Sequence, residues 1–180
     1  MNKTSISFIT SNKHKIQEIN KILGTNFVPT KLKIDEIQSL ILNQVVKAKA
    51  KEAYKIIKEP ILVADVSLEI EALGGLPGTF IKFFIETLGP AGTAKLIKGK
   101  NRRARLTDAI AYFDGKLLKI FKGTVEGTIA EAPKGQSGFG FDVVFIPKGY
   151  NKTYAQMSQE EKNEISHRSI ALKKLKKYLT

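Results

Sequence analysis

The chain has no cysteine, which excludes a disulfide framework, a thiolate zinc site and a cysteine nucleophile. It has two histidines, His14 and His167. They stand far apart, so no pair has the short spacing of a zinc motif. No G-x-x-x-x-G-K-[ST] loop occurs, which removes the P-loop nucleotide binders. No apolar run approaches the ~20 residues of a membrane-spanning helix. The apolar part of the first ten residues is too short for a signal peptide, so a cytoplasmic location is expected. No repeat, linker or low-complexity stretch divides the chain, and residues 1–180 are expected to form a single domain.

Acidic residues are also in short supply: 17 Asp and Glu face 30 Lys and Arg, a formal net charge of +13. Such an excess suits an anionic partner, whether nucleic acid, acidic lipid or a phosphorylated small molecule, and equally a solvated lysine surface. Charge alone does not choose between them.

What is present reads as mixed α/β. Residues 5–10 fit a first strand. Ser11 to Lys15 is a polar break, and Ile16, Ile19, Ile22 and Leu23 follow at helical spacing up to Gly24. Residues 27–34 predict a second strand, placed toward an edge by Pro29. A helix is expected over 44–58, ended by Pro60. Residues 61–64 are a buried strand with Asp65 at its end, and a turn follows at Gly74-Gly-Leu-Pro-Gly78. Residues 79–88 predict a helix stopped by Gly89-Pro90, and 91–97 a shorter one. Residues 103–113 and 116–129, joined by Asp114-Gly115, predict a hairpin. A glycine-rich loop (133–140) and a short strand (143–146) come next. The capping box Ser158-Gln-Glu-Glu161 opens a C-terminal helix with Ile165, Leu172, Leu175 and Leu179 as its core stripe.

Several stretches have residues suited to chemistry. Thr10, Ser11, Asn12 and Lys15 join a strand to a helix, where unpaired N–H groups attract anions; taken alone the stretch reads first as a helix capped by Ser11 or Asn12, and His14 is expected at the solvated surface. Asp65 needs a second acid to hold Mg²⁺, and Asp35, Glu36, Glu69 and Glu71 are candidates. In an extended segment Ser67 shares the face of Asp65 and Glu69. Ser137-Gly-Phe-Gly-Phe-Asp142 combines aromatic faces for a base with a carboxylate for ring N–H groups. Lys162, Ser166, His167 and Arg168 could hydrogen-bond a purine edge.

The order of these blocks is more specific than any one of them. Phe8 to Lys15, Val63 to Leu68 with Leu73 to Gly78, Gly138-Phe-Gly-Phe-Asp142, Thr153-Tyr-Ala-Gln-Met157 and Glu161-Lys-Asn-Glu-Ile-Ser-His-Arg168 together resemble the inosine triphosphate pyrophosphatase family, over nearly the whole chain. The resemblance implies a two-lobed α/β fold around a long mixed sheet with flanking helices, usually a homodimer. It implies Mg²⁺-dependent hydrolysis of ITP, dITP or XTP to the monophosphate and pyrophosphate, with no membrane and no nucleic acid as partner. By motif, Thr10, Ser11, Asn12 and Lys15 match the triphosphate loop, Lys49 a phosphate lysine, Glu36 and Asp65 the metal-binding acids, and Asp65 the catalytic aspartate. Phe139, Gly140, Phe141, Asp142, Lys162, Ser166, His167 and Arg168 match the base pocket, and Ser67 is a further candidate. Ala64 and Val66 depart from the family pattern, which has an acid and a hydroxyl there; Gln156 and Val143 replace a usual acid and proline. Two other readings stand beside this one: a relative that binds nucleotide with weak or no hydrolysis, and a basic nucleic-acid-binding protein.

Overall fold

The computed structural model describes residues 6–180. The chain runs β1 (Ser7–Ile9), α1 (Lys13–Leu23), α2 (Leu42–Ile57), β2 (Ile61–Ile70), β3 (Pro77–Gly78), α3 (Ile81–Thr87), α4 (Gly89–Leu96), β4 (Arg103–Phe113), β5 (Leu118–Ile129), β6 (Phe145–Pro147), α5 (Gln159–Ile165) and α6 (His167–Leu179). The strands form one sheet in the order β1-β2-β4-β5-β6, with β3 on the free edge of β2. β1 and β2 are parallel and the other pairs antiparallel, so the sheet is mixed.

Side-chain alternation along β2 sorts the core into layers. Leu62 and Ala64 pack with Phe8 and Ile110 against Ile16, Ile19 and Leu23 of α1 and Ala171, Leu172 and Leu175 of α6. Ile61 and Val63 pack with Ala109 and Ala111 against Leu42, Val46, Ala50 and Ala53 of α2. Farther along, Leu68, Ile70, Leu106 and Ile129 join a third cluster with Ile97, Phe141, Phe145 and Tyr154. The long strands β2, β4 and β5 thus run through two lobes, with helices on both faces of one of them. This is the two-lobed fold expected.

Several expected elements differ. The strand expected from Ser5 begins at Ser7, and Ser5 lies outside the described residues. Residues 27–34 form no strand; a single bridge pairs Thr30 with Ile9. The Asn20 side chain explains part of this, accepting from Phe27 N–H and donating to Phe27 O, which takes those groups out of any ladder. β2 does not stop at Ala64: all ten residues pair with β4, which places Asp65 mid-strand. Gly89-Pro90 does not separate two helices but lies in the first turn of α4, where proline's missing N–H costs nothing. The hairpin pairs Phe113 with Leu118, so its loop has four residues, held by Asp114 Oδ1 accepting from Lys116 and Leu117 N–H.

The C-terminal helix is two helices. The Ser158 box forms as expected, but α5 ends at an extended Ser166, whose hydroxyl then caps α6 by accepting from Ser169 N–H. The expected stripe splits accordingly. Leu172 and Leu175 are fully buried, Ile165 packs on the other lobe's cluster, and Leu179 is exposed.

Candidate active site

The cleft follows from where the strands stop. β1 pairs β2 only as far as Ile9 with Val63, then the chain turns through Thr10 to Asn12 into α1. β3 resumes on that edge at Leu68 and Glu69. Between them the β2 edge lies open, and a cleft of about 530 Å³ forms against it. Two ladder groups left there are met by side chains. Ala64 O accepts from Lys15 Nζ at 3.3 Å, and Val66 N–H donates to Asp65 Oδ1 at 2.8 Å. Bare edge groups are costly to bury, so the open edge fixes where Lys15 and Asp65 point.

One end of the cleft is built for anions and a cation. Thr10 Oγ1 accepts from Asn12 N–H, and Asn12 caps α1 by accepting from Lys15 N–H. The cap reading therefore holds for Asn12. It still aims the positive end of α1 into the cleft, which Thr10, Ser11, Asn12 and Lys15 all line. Burial lowers the Lys15 ammonium pKa, against the raising pull of Asp108 and Asp65. Lys49, from α2, lies between the two acids, 2.5 Å from Glu36 Oε1 and 3.6 Å from Asp65 Oδ2. Burial pushes Lys49 down, but Asp65 and Glu36 outweigh it and raise its pKa, so it stays charged. Among the described residues no group of three or more His, Asp or Glu side chains gathers for a metal. Two carboxylates converging on one cationic point are nevertheless an all-oxygen donor set, and Mg²⁺ needs one or two such acids beside phosphate oxygens and water. Glu36 and Asp65 fit that group.

The other end is a buried ionic frame. Lys162 Nζ donates to Glu18 at 2.6 Å and Asp142 at 2.8 Å. Arg168 donates through Nε to Asp108 at 2.9 Å and through a terminal nitrogen to Glu18. All five side chains are buried. Burial raises the Glu18 pKa, but Arg168 and Lys162 outweigh it and hold the carboxyl below its ordinary range. Burial opposes the Arg168 charge, and Asp108 and Glu18 overcome it. His167 is buried too; burial and then the charges of Arg168 and Lys162 push its pKa well below 6.5, so it is neutral. Its ring stacks near Tyr154, and its Nδ1 has no partner among the described residues. Phe139 lies beneath Arg168, with Cζ 5.4 Å from the ring centroid, and stacks on the exposed His14 ring at 5.7 Å.

Most expected residues meet in this cleft: Thr10, Ser11, Asn12, Lys15, Glu36, Lys49, Asp65, Phe139, Gly140, Phe141, Asp142, His167 and Arg168 line it. Three do not. Ser67 is buried in β2 with its hydroxyl unpartnered among the described residues. Lys162 is held back in the ionic frame, and Ser166 is a helix cap. Phe141 borders the cleft as a buried core side chain rather than a free ring face. Asp142 Oδ2 is taken by Phe139 N–H and Lys162. Sequence reasoning missed Glu18 and Asp108. Glu18 does interrupt the apolar stripe of α1, and Asp108 sits inside the apolar stretch of β4, the marks by which both could have been found.

The chain is similar to known proteins over nearly its whole length. The chain is 42% identical over 178 residues to a dITP/XTP pyrophosphatase of Hyperthermus butylicus, covering 97% of this chain and 94% of that one. It is 44% identical over 181 residues to an inosine triphosphate pyrophosphatase of Yarrowia lipolytica, covering 97% and 95%. Its fold matches a HAM1 protein of Coxiella burnetii with a TM-score of 0.82 at 26% identity, covering 97% of both chains. The Ham1 protein of Staphylococcus aureus matches with 0.79 at 29%, covering 97% and 98%. The Ham1 family model spans residues 6–178, so the open β2 edge, the cleft and both of its ends all lie within it, and the chain belongs to the Ham1 family.

Proposed function

We propose that this protein is a pyrophosphohydrolase that cleaves non-standard purine nucleoside triphosphates, ITP, dITP and XTP, to the monophosphate and pyrophosphate with Mg²⁺. The observation that carries this is the layout of one cleft. The α1 N-terminus, Lys15 and Lys49 stand beside the Glu36–Asp65 pair at one end, and Phe139, His167 and Arg168 stand at the other. The names of the relatives point to the same reaction.

The chemistry follows from the charges. Thr10, Asn12 and the α1 N–H groups cradle phosphate oxygens, and Lys15 and Lys49 stabilise the charge that grows on departing pyrophosphate. Glu36 and Asp65 would hold Mg²⁺, which would supply Lewis-acid neutralisation of the phosphate oxygens. Asp65 orients the attacking water and takes its proton. At the base end the Arg168 guanidinium only donates hydrogen bonds, so it favours a 6-oxo group and opposes the amino group of adenine. Each such mispairing costs about 1–3 kcal/mol. The same reading has the protein act in the cytoplasm as a homodimer, without membrane or nucleic acid.

The test is product identification: ITP with Mg²⁺ should yield IMP and pyrophosphate, whereas orthophosphate as first product would refute the reading. A second reading, binding without turnover, is favoured by Ala64 and Val66, the apolar residues that flank Asp65 along the strand edge lining the cleft. Calorimetry showing ITP binding with no product formed would select it.

A further inference from the structure

Asp108 is a carboxylate that the scheme above does not use. It lies mid-strand in β4, is fully buried, and does not line the cleft. One oxygen takes Arg168 Nε–H at 2.9 Å, and the other has no partner among the described residues. An unpaired carboxylate in the core is expensive unless its ion partner is fixed in place. Burial raises its pKa, while Arg168 and then Lys15 oppose this. Asp108 is also the strongest of the charges that raise the Lys15 pKa. One buried acid therefore contacts Arg168 directly and acts on Lys15 through its charge.

Its neighbour across the sheet is equally unusual. Asp108 pairs in register with Gly123 of β5, and the first turn of α6 rests on that glycine. A Cβ at Gly123 would collide with the His167 carbonyl and come within 2.5 Å of Ala171 N and 2.8 Å of Ile170 Cβ. The bare backbone at Gly123 lets α6 sink onto the sheet, and Asp108 beside it catches the arginine that the helix brings down.

We propose that the Asp108–Gly123 pair is a positioning device for base recognition: it sets the depth of the α6 N-terminus, and through the Arg168 Nε contact it holds that guanidinium where it reads the purine. The assignment rests on the nucleotide reading above, and Asp108 is a positioning residue because it acts through Arg168.

The experiment compares wild type, Asp108→Asn and Gly123→Ala by kcat/KM for ITP and for ATP, and by the Arg168 Nε–H resonance of the nucleotide-free protein, assigned with Arg168→Lys. The expected result is a roughly tenfold fall in the ITP-to-ATP preference in both variants, since each removes the constraint on one recognition group. The wild-type Nε–H should exchange slowly with solvent and lose that protection in both variants. A purely structural role would lower both substrates equally and leave the preference intact, which would overturn the proposal. So would an Nε–H that exchanges freely in wild type. Should Gly123→Ala not fold, the near-isosteric Asp108→Asn decides alone; should it not fold either, the wild-type Nε–H decides. Wild type that ignores ITP would refute the functional reading, and the resonance would still report on the Asp108 clamp.

Discussion

The two ends of the cleft use the same residue types in opposite ways. At the base end Lys162 and Arg168 are buried and already paired with Glu18, Asp108 and Asp142. At the phosphate end Lys49 shares Glu36 and Asp65, with roughly half of the Glu36 side chain exposed (48%). A buried frame of paired charges has one geometry and suits a rigid ligand such as a purine. A half-exposed carboxylate such as Glu36 can change partners at low cost, which suits a flexible triphosphate and a metal ion that arrive from water. On the proposed reading, recognition is preorganised at one end and charge is left available at the other.

Substitutions at the two ends should therefore fail differently. Asp65→Asn should leave the unfolding transition intact and lower turnover by on the order of 10³-fold, the scale of a lost general base; pyrophosphate release measures it. Retained activity would move catalysis elsewhere. Glu18→Ala should do the reverse in kind. It strips a shared acid from two buried cations and should cost about 3–5 kcal/mol of stability in denaturant unfolding.

The pH response should come from the buried end as well. The folded pKa of His167 is depressed below 6.5, so the unfolded chain binds the proton more readily. Its contribution is fully present above pH 6.5 and falls as pH drops below it, by at most about 1.4 kcal/mol per pH unit for this one group. Urea midpoints at pH 7.5 and 5.5, with His167→Asn as the control that flattens the difference, measure it. The smallest effect should come from an exposed pair. Lys21 and Glu160 meet at 2.6 Å on the surface, yet Lys21→Ala should leave the urea midpoint nearly unchanged in the same unfolding assay.

How legible each region was in the sequence follows the same division. The phosphate end uses a strand–turn–helix junction and an acid on an apolar strand, both local patterns, which mark the positions of Thr10 to Lys15 and Asp65, while their proposed roles come from the family resemblance. The hairpin of β4 and β5 was readable for the same reason. The base-end frame is assembled by sequence-distant contacts, Glu18 to Lys162 and Arg168, and Asp108 to Arg168, which no local window contains. A lone acid within an apolar stripe marks a buried charge but does not name its partner. The break at Ser166 was hidden because Ser158 to Leu179 has the composition of one helix. Residues 27–34 had strand-like composition, but the Asn20 side chain took the Phe27 backbone groups.

The central claim is that a preorganised base end selects the purine while an adaptable phosphate end performs the hydrolysis. It is tested most directly by measuring kcat/KM for ITP and ATP side by side with Mg²⁺, with pyrophosphate as the readout. The account predicts a preference for ITP of about 5- to 150-fold for each mispairing of about 1–3 kcal/mol. Equal turnover of the two nucleotides would contradict it.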